Sequence, residues 1–355
     1  MNIQEGYSAK KSHVLADLTI EVTRKCPLNC LICSSEGGSP YKNELTTNHL
    51  RKIISDANDL GARNICFSGG EPFEHPEIIQ LCEYSKSMGL NVHVYTSGNT
   101  RTKLNLLNPI DENLMIRAKN SVDMIIAGLQ GPTAEAHELI TRVHGSFKNA
   151  ISSIERAIRQ SIPVEIHFVP VRMNYRSLPE MIELAKKLKV NRISVLRFVP
   201  QGRGKTYNSL LSLEPTDVLS LKSILENISV SEGPQVRIGA PFRVLGLSKA
   251  HCTAGENRAT VRADGLVFPC EALKEMPCSS NDLKTRGLRE IWQESKIFTD
   301  ARAFASLAKN RKCANCKKFD RCVGGCPAQR LNLGGHMEDC LDPYCPETKV
   351  TTINV

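Results

Sequence analysis

Leu18-Thr-Ile-Glu-Val-Thr23 leads through Arg24 and Lys25 into Cys26-Pro-Leu-Asn-Cys30-Leu-Ile-Cys33, and this junction decides how the chain is read. The first six residues alternate apolar and polar, the pattern of a half-buried strand. The loop behind it places three cysteines within eight residues. In parallel α/β folds and barrels, ligand sites lie beyond the carboxyl ends of the strands. Three thiolates could hold zinc, but structural zinc takes a fourth ligand, and no His or Cys follows closely. They suit a four-iron cluster better, because the fourth iron keeps an open position.

Working outward, short apolar runs alternate with longer amphipathic stretches as far as residue 200. Strands are expected at Leu18–Thr23, Asn64–Ser68, Asn91–Ser97, Val122–Leu129, Val164–Val171 and Arg192–Val199. Helices are expected at Thr47–Leu60, Glu77–Met88, Phe147–Gln160 and Ser177–Leu188, where apolar residues recur every three or four positions. Strand–helix alternation implies parallel strands covered by helices. Six units fit an α/β fold of the partial (β/α)6 TIM-barrel type, with a flat doubly wound sheet as the alternative.

One parity of the fifth strand is apolar (Val164, Ile166, Phe168) and the other carries Glu165 and His167. Glu21 likewise alternates with Ile20 and Val22, and His93, Tyr95 and Ser97 alternate with Val92 and Val94. Polar residues turned inward predict a lumen for a polar ligand; the alternative is that they cap strand ends. Glu165, His167 and Arg197 are the candidate lumen residues. Gln201–Lys205 (QGRGK) breaks the pattern, and Leu213–Val230 returns to a helical one. The expected organisation is a lead-in over 1–17, a barrel over 18–230 and a cysteine-rich domain over 231–355.

The chain has 355 residues, of which 41% are hydrophobic, a normal fraction that excludes intrinsic disorder. Its longest apolar stretch, Met124 to Leu129, is far short of the ~20 residues of a membrane span. The polar beginning lacks a secretory apolar segment, so a cytoplasmic location is expected. In that reducing compartment, clustered cysteines more often bind metal than form disulfides, and 14 are present. Cys66 and Cys82 fall in periodic segments and read as small buried hydrophobes. The net charge of +9 suggests a polyanion partner. Thiolate-held iron–sulfur clusters are themselves anionic, however, and the basic residues form no block, so nucleic acid is not expected.

The C-x3-C-x2-C loop resembles the defining motif of the radical S-adenosylmethionine (SAM) enzymes. The resemblance continues at Ser68-Gly69-Gly70-Glu71-Pro72 after the second strand and at Thr96-Ser97-Gly98-Asn99 after the third. It implies a [4Fe–4S] cluster on Cys26, Cys30 and Cys33 whose unique iron chelates SAM. It further implies that Gly69, Gly70, Glu71 and Pro72 hold the methionine amine. Thr96, Ser97, Asn99 and Gln130 would then serve the rest of the cofactor. Two positions depart from the family: Ile32 stands where an aromatic residue is usual, and Gly128-Leu-Gln-Gly131 where a serine-containing SLDG is common. The implied reaction is reductive cleavage of SAM to a 5′-deoxyadenosyl radical that abstracts a hydrogen atom from a substrate.

Cys252-x12-Gly265-x4-Cys270, Cys313-x2-Cys316-x5-Cys322-x3-Cys326 and Cys345 resemble the SPASM extension of these enzymes. That resemblance implies two auxiliary [4Fe–4S] clusters, the outer on Cys313, Cys316, Cys322 and Cys345 and the inner on Cys252, Cys270 and Cys326. The inner set is one ligand short; Cys278, Cys340 and His251 are the spare candidates, or the site stays open. A zinc ribbon is the alternative for the C-x2-C pair. Glu271 corresponds to an acidic residue proposed as a base in sulfatase-maturing relatives; as a residue by itself it reads slightly better as a solvated surface glutamate. Trp292 reads as core.

A peptide or protein substrate is favoured over a small metabolite or tetrapyrrole, and a non-catalytic metal scaffold is the remote third reading. An external electron donor such as flavodoxin or ferredoxin is implied. Only 25 residues precede Cys26, so a peptide substrate is expected to need a separate leader-peptide recognition protein or to dock directly.

Overall fold

Six short runs with an apolar parity form six parallel strands: β1 (Asp17–Thr23), β2 (Asn64–Gly69), β3 (Asn91–Thr96), β6 (Met124–Gly128), β7 (Val164–Phe168) and β8 (Arg192–Val195). A small hairpin, β4 (Asn99–Arg101) with β5 (Leu107–Pro109), intervenes after β3. The computed structural model describes residues 13–228, 233–309, 313–332 and 340–347.

The strands lie side by side in chain order, β1-β2-β3-β6-β7-β8. A doubly wound sheet reverses direction at a switch point; this sheet does not over these six strands, and it is a partial barrel. Three further strands extend it from beyond residue 230. β9 (Gln235–Ile238) pairs parallel to β8, β10 (Arg258–Val261) pairs parallel to β1 on the other side, and β11 (Val267–Phe268) pairs antiparallel to β10. Sequence periodicity missed them because each has four residues or fewer and lies among turns. The sheet therefore runs on from the barrel segment into the cysteine-rich segment.

Helices cover the outer face. α1 (Thr47–Asp59) turns Leu50, Ile53, Ile54 and Ala57 inward, and the Thr46 side chain caps its first turn. α2 (Ile78–Ser87), α3 (Glu112–Ala118), α4 (Ala134–Thr141), α5 (Ser146–Arg159) and α6 (Leu178–Lys187) follow their strands. One continuous apolar core fills the space between sheet and helices, from Leu15 to Phe298. Trp292 belongs to it, edge-on to Phe298 at 5.3 Å and donating its ring N–H to the His13 carbonyl. Among the described residues, no helix is long and apolar enough to cross a membrane.

Register decides the other face. Thr260, Thr19, Cys66, His93 and Met124 stand in one row across five strands. Tyr95, Ile126, Glu165, Arg192 and Gln235 stand in a second, and Gly128, His167, Ser194 and Arg237 in a third. Because side chains alternate with period two, these rows share one polar face, the lumen. Cys66, expected as a small core hydrophobe, lies in this polar parity, whereas Cys82 is fully buried on α2.

Candidate functional site

The Cys26–Cys33 loop is clamped on several sides by backbone. Cys26 N–H donates to the Gly38 carbonyl (3.0 Å), Leu31 N–H to Ile140 (2.8 Å) and Asn29 N–H to Thr141 (3.2 Å) at the end of α4. Arg203, in the QGRGK break, closes the loop over the top: its guanidinium donates to the Cys30 carbonyl (3.0 Å) and the Gly37 carbonyl (2.8 Å). That role carried no signal in the sequence. Gly202 takes a left-handed φ of +52° there, and a Cβ would come within 2.8 Å of the Cys33 carbonyl.

Burial pushes the Cys30 thiol up to about 12, and burial with the neighbouring Cys30 and Cys33 thiols raises Cys26. Such thiols ionise when a bound cation displaces their protons, which are released to solvent, and this couples metal binding to thiol ionisation. Gly37 N–H already points at Cys33 Sγ (3.3 Å), a contact that a ligating thiolate accepts. The loop fits a cluster.

Gly69 and Gly70 bring β2 against this loop. A Cβ on Gly70 would lie 2.3 Å from the Lys25 carbonyl and 2.4 Å from that of Arg24. Their close approach is thus to the chain's own backbone, with Gly70 N–H donating to Thr23 (2.7 Å) and Glu71 N–H to Lys25 (2.8 Å). Pro72 begins the turn that follows. Glu71 is completely buried and takes hydrogen bonds from Thr96 Oγ1 (2.7 Å), Ser97 N–H (2.8 Å), Ser97 Oγ (2.6 Å) and Phe73 N–H (3.2 Å). Burial raises its carboxyl to about 7 in spite of these donors. Asn99 is also buried, donating to the Ser97 and Ser146 carbonyls while its Oδ1 has no partner. Gln130 ties the end of β6 to β7, its Oε1 accepting from Val169 N–H (3.3 Å).

Because the folded pKa of Glu71 lies above its unfolded value, its contribution to stability is complete below about pH 4.5. It is lost as pH rises through about 7. Glu71→Gln is expected to flatten that part of the stability–pH curve measured by urea denaturation of the empty protein; an unchanged curve would refute the assignment.

Deeper in the lumen, Glu165 accepts from His167 (3.0 Å), Arg192 (2.9 Å), Arg237 (3.3 Å) and Ser194. Burial opposes its charge, but these donors hold its carboxyl well below the usual range. Burial lowers His167 in turn, and its ring packs 5.2 Å from Tyr95. Arg197 does not belong here. It lies past the end of β8, where it pairs bidentately with Asp342 (2.8 and 2.7 Å) and stacks 3.6 Å over Tyr344. Both side chains of the pair are 1% exposed.

Glu271 is inside as well, not on the outer surface. Thr19 Oγ1 donates to it (2.7 Å), Cys270 Sγ lies 3.5 Å away and Gln201 donates to its carbonyl (3.0 Å). Burial would raise this carboxyl, yet Arg258 and Thr19 hold it below its usual value. One turn on, buried Lys274 reaches Glu21 (2.5 Å) and Ser35 (2.7 Å), joining the cysteine-rich segment to β1 and to the first cysteine loop. Sequence reasoning singled out neither Lys274 nor Asp342.

Burial raises Cys322, and Cys313 and Cys316 add to it; burial raises Cys270 and Cys326 as well, and Cys252 adds to both. Cys322 is thus a neighbour of Cys313 and Cys316, and Cys252 of both Cys270 and Cys326. A cavity of about 290 Å³ between them is lined by Cys252, Cys322 and Cys326, together with His251 and Arg243. His251 Nδ1 is 3.0 Å from Arg243. Asp342 accepts from Cys326 N–H (2.8 Å) and from Tyr344 N–H (2.9 Å), and its carbonyl from Cys345 N–H (2.8 Å). Cys278 packs at the edge of the main core and is influenced by Arg262 and Asp264. Among the described residues, no three His, Cys, Asp or Glu side chains converge on a single-ion site, and no disulfide joins the cysteines.

A partial barrel with a three-cysteine loop after its first strand, a buried glutamate after the second and a cysteine-rich extension defines an iron–sulfur, SAM-dependent enzyme class. Comparison agrees: the radical SAM superfamily profile matches residues 20–188, and that of the SPASM iron–sulfur cluster-binding domain matches 252–317. The chain belongs to the radical SAM enzymes with a SPASM domain. It is 28% identical over 330 residues to the PqqA peptide cyclase of Rhizobium meliloti, covering 92% of this chain and 85% of that one. It is 27% identical over 348 residues to the AdoMet-dependent heme synthase of Methanosarcina barkeri, covering 92% and 94%. The crystal structure of Streptococcus suis SuiB bound to its precursor peptide SuiA superposes with a TM-score of 0.75 at 18% identity, over 94% of this chain and 76% of that one.

Proposed function

We propose that this enzyme abstracts a hydrogen atom from a residue of a peptide or protein and completes its oxidation or cross-linking with two auxiliary [4Fe–4S] clusters. The observation that carries this reading is the lumen face on which Tyr95, Cys66 and Thr19 lead from the Cys26–Cys33 loop to Glu271 beside Cys270. It links the place where a radical would arise to the place where an electron could leave. The similarity to a peptide cyclase supports a peptide substrate.

When bound, the first cluster and SAM supply a carbon-centred radical able to take a hydrogen atom. Cys26, Cys30 and Cys33 would hold that cluster. Glu71, poised near neutrality without a cation of its own, would be returned to its charged form by the SAM ammonium. Thr96 and Ser97 hold its oxygens in place. Glu271, ionised by Arg258 and Thr19, is available to take a proton from the substrate. Cys313, Cys316, Cys322 and Cys345 would hold the outer auxiliary cluster, and Cys252, Cys270 and Cys326 the inner. His251 or the substrate would complete the inner set.

The test is iron, sulfide and zinc per chain after anaerobic reconstitution, followed by turnover with a deuterated substrate. About 12 irons with negligible zinc is expected. About four irons with zinc would overturn the auxiliary-cluster reading. Deuterium carried from a peptide into 5′-deoxyadenosine supports the peptide reading. Deuterium carried only from a tetrapyrrole would favour the second reading, which the heme synthase similarity supports.

A further inference from the structure

Two fixed charges press on the cysteine-rich region from different sides. Glu271 Oε2 lies 3.5 Å from Cys270 Sγ, and its other oxygen is held by Thr19. Arg330 is 0% exposed, and its guanidinium lies 3.8 Å from Cys313 Sγ. The same guanidinium donates to the Gly324 carbonyl (3.2 Å) and sits 5.4 Å over the Phe304 ring. Both contacts are made to sulfurs of the two proposed auxiliary sets, the carboxylate to the inner and the cation to the outer.

Reducing a cluster adds one negative charge. A fixed anion beside a ligating sulfur disfavours that step, and a fixed cation favours it, more strongly in a low-dielectric interior than in water. We propose that Glu271 lowers the reduction potential of the inner cluster and Arg330 raises that of the outer one, so that an electron from the substrate chamber moves outward.

The other charges near the inner set largely cancel, Arg243 and Glu256 acting on Cys252 in opposite directions. Arg258 acts on Cys252 and Cys270 and is offset by Asp17, 4.0 Å from its guanidinium, which leaves Glu271 as the excess charge. Arg197 beside Cys326 is matched by Asp342. Position agrees with direction: Glu271 belongs to the lumen, while Ala314, Asn315, Lys317 and Lys318 around the outer loop are exposed. In the step itself, the reduced inner cluster loses one electron and the outer gains it. A one-electron carrier protein then reoxidises the outer cluster at the surface. In this electron step neither Glu271 nor Arg330 makes or breaks a bond; both tune it through their charge.

This inference rests on the two-cluster reading, which fails separately if the parent enzyme holds fewer than about 12 irons. With that iron present, anaerobic redox titration followed by electron paramagnetic resonance reads each potential; the first cluster is recognised by its response to added SAM. Glu271→Gln is expected to raise the inner potential and Arg330→Gln to lower the outer one. Each should change the reduced-to-oxidised ratio at fixed potential about tenfold, equivalent to about 59 mV for a one-electron couple. Arg330→Lys, which keeps the cation, is expected to stay close to the parent. Unchanged potentials in fully loaded Gln variants would overturn the proposal. If Arg330→Gln loses the outer irons, the Glu271→Gln titration decides alone: a raised inner potential supports the proposal, and an unchanged one overturns it.

Discussion

Cys30→Ala is expected to lose about four irons per chain and all 5′-deoxyadenosine formation, while the fold survives. The separation of those effects follows from the geometry. What holds the loop at residue 30 is its carbonyl, which accepts from Arg203 (3.0 Å) and from Cys33 N–H (3.3 Å), and alanine keeps that carbonyl. The Leu31–Ile140 and Asn29–Thr141 backbone bonds are likewise untouched. The substitution removes one thiol from a set of three and little packing. Denaturation midpoints should stay near those of the iron-free parent, whereas iron content and SAM cleavage should fall below the loaded parent's. Undiminished SAM cleavage in the purified variant would sink the assignment of this loop.

Arg197→Ala is expected to cost roughly 3–5 kcal/mol of stability and to release iron from the cysteine-rich region. The pair it breaks is almost inaccessible, and truncating the arginine leaves the Asp342 carboxylate buried with its counter-charge gone. Asp342 also holds the Cys326 N–H and the turn before Cys345, so a displaced carboxylate moves two proposed ligands at once. Removing both charges together, as Arg197→Met with Asp342→Leu, should recover much of the stability, because a buried ion pair is often replaceable by apolar side chains of similar volume. It should not recover the iron, because the hydrogen bond to Cys326 is still missing. Urea denaturation with iron analysis of both variants checks this; a loss below about 1 kcal/mol with full iron retention in Arg197→Ala would contradict it.

The six barrel strands and four of the helices between them are legible because each is built from contacts within a few residues and its periodicity shows in the chain itself. The seven- and eight-residue α3 and α4 are too short to show one. The alternation of Glu165 and His167 with Val164, Ile166 and Phe168 announced a polar lumen for the same reason. Arg197 falls outside the lumen because the strand ends at Val195, and beyond it alternation no longer says which way a side chain points. Residue type alone makes Cys66 read as core; its register with Thr19 and His93 puts it on the polar face.

By itself, the sequence determined the class of this protein. Cysteine spacing within short loops, and glycines where backbone must meet backbone, are local necessities that any chain with this chemistry must write out in order. Tertiary structure alone decided which charges serve the site. Thr19 meets Glu271 across 252 residues, Lys274 meets Glu21 across 253, and Arg197 meets Asp342 across 145. A buried charge must be neutralised by whatever the fold brings beside it, and nothing in the spacing of the chain records that meeting.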